Sequence, residues 1–257
     1  MTVSTSDKWL DVFEDKLIKP GRTPEDLENR SRLLSEQRAL ELKDDPIGGK
    51  FDLEHMTSIH RYTFQDVSSH AGVVREYDLS KGGTYFAQAV HIDYLMHKEL
   101  TAHLEALGKE ADSPPEFTKR MAEIHSTIDY AHPFREGNGR TTRTMMDQIA
   151  KTHGYELDFK ATSREQWVEA SIEAIHGDDS KKQALFKDIV TPGPERQQAA
   201  VIQALKVSAK DSSKEAQETV VKILSEHKVS ADLVKEIGNE LVNKAPSRPD
   251  PSDGWER

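Results

Sequence analysis

Apolar residues along most of this chain return every three or four positions, the spacing of one helix face rather than the alternation of a strand. In FDLEHMTSIHRYTFQDV, Leu53, Met56, His60, Phe64 and Val67 follow that spacing. In PEFTKRMAEIHSTIDYA, Phe117, Met121, Ile124 and Ile128 follow it after a proline pair suited to a helix start. Further helices are expected near 24–43, 88–107, 140–153 and 163–176. The exception is VVREYDLSKGGTYFAQ, where β-branched and aromatic residues flank Lys81-Gly82-Gly83-Thr84, a turn signal that predicts a short hairpin over residues 73–87. After Asp188, Thr191-Pro192-Gly193-Pro194 breaks the pattern, and three helix-like segments follow near 195–210, 213–228 and 231–244. The expected organisation is an all-α body at 1–190 with one hairpin, a helical appendage at 191–245 and a tail at 246–257. The tail is rich in proline and charge and is read as disordered.

Composition narrows the chemistry. With 257 residues, 35% hydrophobic and 31% charged, the chain suits one globular core with a smaller appendage, and no apolar run approaches the roughly 18 residues of a membrane helix. The first residues lack a basic segment followed by an apolar one, so no secretory signal is read, and synthesis and initial residence in the cytoplasm are expected. The absence of cysteine excludes disulfides and thiolate chemistry, leaving hydroxyl, imidazole and carboxylate groups. A net charge of −10 argues against a general nucleic-acid binder.

The candidate chemistry is concentrated in His132-Pro133-Phe134-Arg135-Glu136-Gly137-Asn138-Gly139-Arg140-Thr141-Thr142-Arg143, a glycine-bearing loop between two helix patterns. A loop that ends at a helix N-terminus offers free N–H groups and a positive dipole end, which favour phosphate. Gly137 and Gly139 would let the main chain approach a ligand, and Asn138 between them could add an amide donor. Arg140 and Arg143 fall on one face of the opening turn, where cations are disfavoured unless an anion sits nearby, and a triphosphate would satisfy both. Glu136 is explained if it holds Mg²⁺, and the near-neutral pKa of histidine suits His132 to take a proton from an attacking hydroxyl. Each feature alone is usually structural; their joint order within twelve positions is what points to function. The other histidines read as core or surface residues, and no HExxH zinc pattern occurs.

His132 to Arg143 resembles the Fic signature, HPFx(D/E)GNGRxxR, and matches it at every specified position. The likeness extends to FDLEHMTSIHRYTFQDV, to Ala71, Gly72 and Arg75, to DLSKGGTYF and to GYELDFKATSREQWVEASIEA, and so covers roughly residues 50–190. His70 stands where similar relatives often carry tryptophan. The resemblance implies an all-α Fic fold with a β-hairpin flap, and an activity that moves AMP from Mg·ATP to a Tyr, Ser or Thr hydroxyl of a target protein. It implies His132 as the base, Glu136 on Mg²⁺, and Gly137, Asn138 and Gly139 as the α-phosphate anion hole. Arg140 and Arg143 would hold the β- and γ-phosphates, and Phe134 would anchor the nucleotide-binding loop in the core. The flap residues Lys81, Gly82, Gly83, Thr84, Tyr85 and Phe86 would dock a target segment by strand addition. Transfer of UMP or phosphocholine, or of the γ-phosphate by a Doc-like kinase, are the alternatives; Doc-like proteins carry lysine at the position of Gly139. Relatives inhibit themselves through an (S/T)xxxE(G/N) helix, which this chain lacks, with Glu28-Asn29 the nearest miss. The absence resembles toxins restrained by a small antitoxin that supplies the glutamate in trans, and effectors delivered into host cells.

Overall fold

In the helix Leu53–Phe64 (α2), Asp52 accepts a hydrogen bond from the His55 N–H at 2.9 Å, and Met56, Ile59, His60, Thr63 and Phe64 turn inward. Pro114–Ala131 (α5) opens on its two prolines, whose fixed φ suits the first turn, and buries Phe117, Met121, Ile124 and Ile128. Asn138–Thr152 (α6) contributes Met145, Met146 and Ile149 to the same core. Each such side chain stabilises the fold by about 1.5–3 kcal/mol when fully buried. Pro24–Asp44 (α1), closed at its start by a Thr23/Asp26 capping box, packs on α2 and α6. This computed structural model describes residues 2–4, 14–17, 19, 23–110, 113–211 and 213–244. The tail expected at 246–257 lies outside them.

The helix expected over 88–107 is four pieces: a 3₁₀ turn at Ala89–His91, α3 (Ile92–Tyr94), a π turn at Leu95–Glu99 and α4 (Leu100–Glu110). The wider π turn keeps Leu95, Met96 and Leu100 on the buried side. The hairpin is shorter than expected. Asp78–Lys81 (β2) pairs antiparallel with Thr84–Tyr85 (β3) around Gly82 and Gly83, whose φ values of 58° and 84° suit a primed turn. Residues upstream of β2 leave the ladder because Arg75 takes up main-chain carbonyls there and Val74 bridges to Phe134 instead. A strand not expected from the sequence, Thr2–Ser4 (β1), lies parallel on the other edge of β2, with Thr2 opposite Asp78 and Ser4 opposite Ser80. Tyr155–Leu157 (β4) pairs with Val190–Pro192 (β5), between which lie α7 (Arg164–Ile175) and α8 (Ser180–Ile189).

The chain divides into two units, Met1–Thr191 and Pro192–Arg257. The second holds α9 (Pro194–Lys210), α10 (Lys214–Glu226) and α11 (Ala231–Lys244) around a small core of Ala200, Val201, Ala204, Ala216 and Ile237. No described helix is long and apolar enough to cross a membrane.

Candidate active site

The loop between α5 and α6 is held from four sides. His132 caps α5 in the left-handed region, with φ 42° and ψ 60°. Arg75, almost fully buried, donates from Nε to the His132 carbonyl at 2.8 Å and from its Nη atoms to the carbonyls of Tyr77, Ala87 and Ala131. Its own N–H reaches the Pro133 carbonyl at 2.9 Å. One guanidinium thus ties the start of the loop to the start and end of the flap.

Beneath the loop stands His60, with no solvent exposure. Its Nδ1 accepts from the Gly72 N–H at 2.7 Å, so Nε2 carries the proton and donates to the Glu136 carbonyl at 3.0 Å. Its ring stacks on Phe134 at 3.9 Å between centroids. Phe134 is fully buried and acts on the loop as an anchor, not as a contact surface for a ligand.

The amide of Asn138 has a different use from the donor to a ligand expected above. Its Oδ1 accepts from the Phe134 N–H at 2.9 Å and its Nδ2 donates to the Phe134 carbonyl at 2.6 Å, so the side chain is spent closing the loop. That leaves the main-chain N–H groups of Asn138 and Gly139 for an anion, since the Gly137 N–H bonds the Glu136 carboxylate. The two glycines also differ. Gly137 has φ +84°, and a Cβ there would stand 2.5 Å from the Phe64 ring. Gly139 has ordinary φ, and a Cβ would meet only Arg143 Nη1 at 3.6 Å. Packing demands the first glycine and leaves the second unexplained by the chain itself.

α6 begins at Asn138 with no side-chain cap, so its first N–H groups point out of the helix unsatisfied. Arg140 and Arg143 sit on this turn. Arg140 donates from Nη1 to Ser35 Oγ of α1 at 2.6 Å and lies 4.6 Å above the Phe64 ring centre. Among the described residues neither guanidinium forms an ion pair. The Glu136 carboxylate accepts from the adjacent Gly137 N–H at 3.2 Å.

His132 faces this turn from the other end of the loop. Its Nδ1 lies 3.2 Å from the Asp129 carbonyl, which can only accept, so Nδ1 is the protonated nitrogen and Nε2 carries the lone pair. The Phe86 ring stacks on it at 3.7 Å. Burial lowers the imidazole pKa to about 4, against the opposing pull of the Asp129 charge, so the ring is neutral near pH 7. Of the flap residues, Phe86 turns to the histidine, whereas Lys81, Gly82, Gly83 and Tyr85 are exposed. Ser35, Asp129 and the buried Lys182 were not singled out by sequence, and His60 was read only as part of a helix face. Only Arg75 had a signal, its place after Ala71-Gly72.

The Fic/DOC family profile matches residues 50–150. The protein adenylyltransferase VbhT of Bartonella schoenbuchensis is 35% identical over 157 residues, 60% of this chain and 32% of that protein. A Sinorhizobium fredii protein, named "Probable protein adenylyltransferase y4lH", is 32% identical over 179 residues, 65% of this chain and 91% of its own. Among solved structures, the N-terminal Fic domain of a VirB-translocated Bep effector from Bartonella quintana, with bound ADP, superposes with a TM-score of 0.61. It shares 30% identity, covering 69% of this chain and 91% of that one. The chain belongs to the Fic/DOC family. The activity named for its curated relatives, protein adenylyltransferase, is a nucleotidyltransferase activity; the chain spans about a third of VbhT's length.

Proposed function

We propose that this chain is a protein adenylyltransferase that moves AMP from ATP to a hydroxyl side chain of another protein. The observation that carries the reading is one short loop with an imidazole lone pair at one end and an uncapped helix N-terminus, bare at Gly139, at the other. The target hydroxyl gives its proton to His132 Nε2 while its oxygen attacks the α-phosphorus. The bond from that phosphorus to the β-phosphate bridging oxygen breaks, and pyrophosphate leaves. The N–H groups opening α6 meet the charge that develops on the α-phosphate. Arg140 and Arg143 hold the β- and γ-phosphates, and Ser35 keeps the Arg140 fork in place.

Glu136 fits Mg²⁺. It is a half-buried carboxylate at the mouth of the phosphate site, bonded to one N–H, and no group of three or more possible ligands lies together among the described residues. A lone carboxylate plus phosphate oxygens is the donor set this ion usually takes, and when bound the ion would neutralise phosphate charge.

The open main chain at Gly139 favours a nucleotide seated α-phosphate first over the reversed seating of a Doc-like kinase; UMP or phosphocholine transfer would use the same contacts. The ADP bound in the Bartonella quintana relative supports ATP as the substrate. The target segment docks by strand addition at the flap, on the β3 edge or in place of β1. Restraint from outside, by a small antitoxin in trans, rests on the missing (S/T)xxxE(G/N) pattern; among the described residues no carboxylate forms an ion pair with Arg143, although the Glu36 charge of α1 acts on it. The bacterial cytoplasm is the site of action, or a host cell if the chain is translocated as its effector relatives are.

Intact mass spectrometry after incubation with a lysate and ATP, UTP or CDP-choline tests the reading. An AMP adduct that is absent with His132→Ala, in a variant that still binds ATP, is the expected result. Phosphate addition, or undiminished transfer by His132→Ala, would refute it.

A further inference from the structure

Behind the loop lies an ion pair that the reaction as described leaves unused. Lys182 of α8 has no solvent exposure, and its Nζ donates to Asp129 Oδ2 of α5 at 2.9 Å. A buried ammonium is costly unless paired, and a methionine would fill the space at less risk to the fold. Asp129 lies one turn before His132, and its carbonyl is the acceptor that fixes the histidine tautomer. The Asp129 carboxylate also accepts from the Ser171 hydroxyl of α7. On its other side is His125, whose ring is enclosed by Trp167 and Phe186 and whose Nδ1 has no partner among the described residues.

We propose that Asp129, kept ionised by Lys182, is a positioning residue for His132: its main chain orients the ring, and its carboxylate stabilises the imidazolium formed when the target hydroxyl is deprotonated. The inference rests on the adenylyl-transfer reading. In that step the proton passes to Nε2, the hydroxyl oxygen bonds to the α-phosphorus, and the electron pair of the broken bond leaves with pyrophosphate. The imidazolium then returns its proton to solvent.

The charges around both groups agree with this. Burial pushes the Asp129 carboxyl up, but the Lys182 charge beside it holds it below the usual carboxylate range. His132 faces Asp129 on α5, Glu136 in the loop and Lys81 on the flap; the first two favour its charged form, and Asp129 does so most. Without the Asp129 charge, desolvation of the imidazolium would be opposed by the Asp129 main-chain carbonyl and, less, by Glu136.

Asp129→Asn keeps the side-chain shape and the main-chain carbonyl and removes only the charge. Expected are a fall in kcat of about ten- to a hundredfold, the range of a lost charge-assisted interaction, with KM for ATP unchanged within twofold. The His132 titration followed by NMR should move to lower pH, and the acidic limb of the pH–rate profile with it. Lys182→Met should reproduce the kcat loss in proportion to the protonated fraction of Asp129, a carboxylate 21% exposed and then without its counter-charge, read by its own NMR titration. If that variant does not fold, the neutral double variant Asp129→Asn/Lys182→Met restores the fold and should show the same loss. An unmoved His132 titration in Asp129→Asn, or kcat within twofold of wild type, overturns the inference. The titration needs no turnover, so a shifted His132 in an enzyme that transfers no AMP would count against the transfer reading alone.

Discussion

The ring of Phe86 lies face to face with that of His132, centroids 3.7 Å apart and planes 16° from parallel. Phe86 follows directly on β3, and its N–H bonds the Leu79 carbonyl of β2, so the flap braces the base. Removing a stacked ring costs about 0.5–1.5 kcal/mol beyond burial. Phe86→Ala is therefore expected to lower kcat roughly three- to tenfold, with KM for ATP unchanged, while Phe86→Tyr keeps most activity. Equal losses in both variants by steady-state kinetics would rule out stacking as the cause.

The motif glycines should separate by assay. Gly137→Ala drives a Cβ into the Phe64 ring from a positive φ and should destabilise by roughly 1–3 kcal/mol. Gly139→Ala has room and should melt within about 2 °C of wild type, since exposed changes usually stay within ±0.5 kcal/mol. It should nonetheless bind ATP at least tenfold more weakly by calorimetry. Wild-type affinity in Gly139→Ala would remove the close main-chain approach from the account.

Acid should unfold this protein through its buried imidazoles. Desolvation lowers His60 to about 4, His125 to about 3 and His132 to about 4. Well above pH 6.5, from about pH 8, all three are neutral in both states and contribute no pH dependence. As pH falls from 6.5 towards 4 the unfolded chain takes up protons that the folded chain refuses, and stability drops by up to roughly 3 kcal/mol per fully buried histidine. Urea midpoints at pH 7.5, 6 and 5 should decline in that order, and His125→Leu should flatten the decline. Parallel declines in the two proteins would show that His125 is not a source of it.

Among the described residues, Ser35 is the one side chain that accepts a hydrogen bond from Arg140. Ser35→Ala is expected to raise KM for ATP about three- to tenfold and leave thermal stability within about 1 kcal/mol, since a neutral hydrogen bond contributes roughly that. An unchanged KM would mean that the Phe64 ring alone holds the guanidinium.

What could be read from the sequence was what is local. Amphipathic spacing exposes α2, α5 and α6, because each buries one continuous face. The phosphate loop was legible because its parts are contiguous. Partners set by the fold were not: Ser35 and Arg140 are 105 residues apart, His60 and the Glu136 carbonyl 76, Lys182 and Asp129 53. Asn138 shows the other limit. A polar side chain beside two glycines reads as a ligand donor, yet its amide fits the Phe134 backbone four residues back. The π turn and the β1 seat on β2 leave no periodic trace, since each depends on what lies across from it.

The left-handed backbone at His132 sets activity against backbone strain at a single residue. With φ at 42°, any side chain there costs of order 1 kcal/mol that glycine would not. Glycine there would relieve the backbone but forfeit the Phe86 stack, worth a similar amount, together with the base, so it is the chemistry that decides for an imidazole at this position.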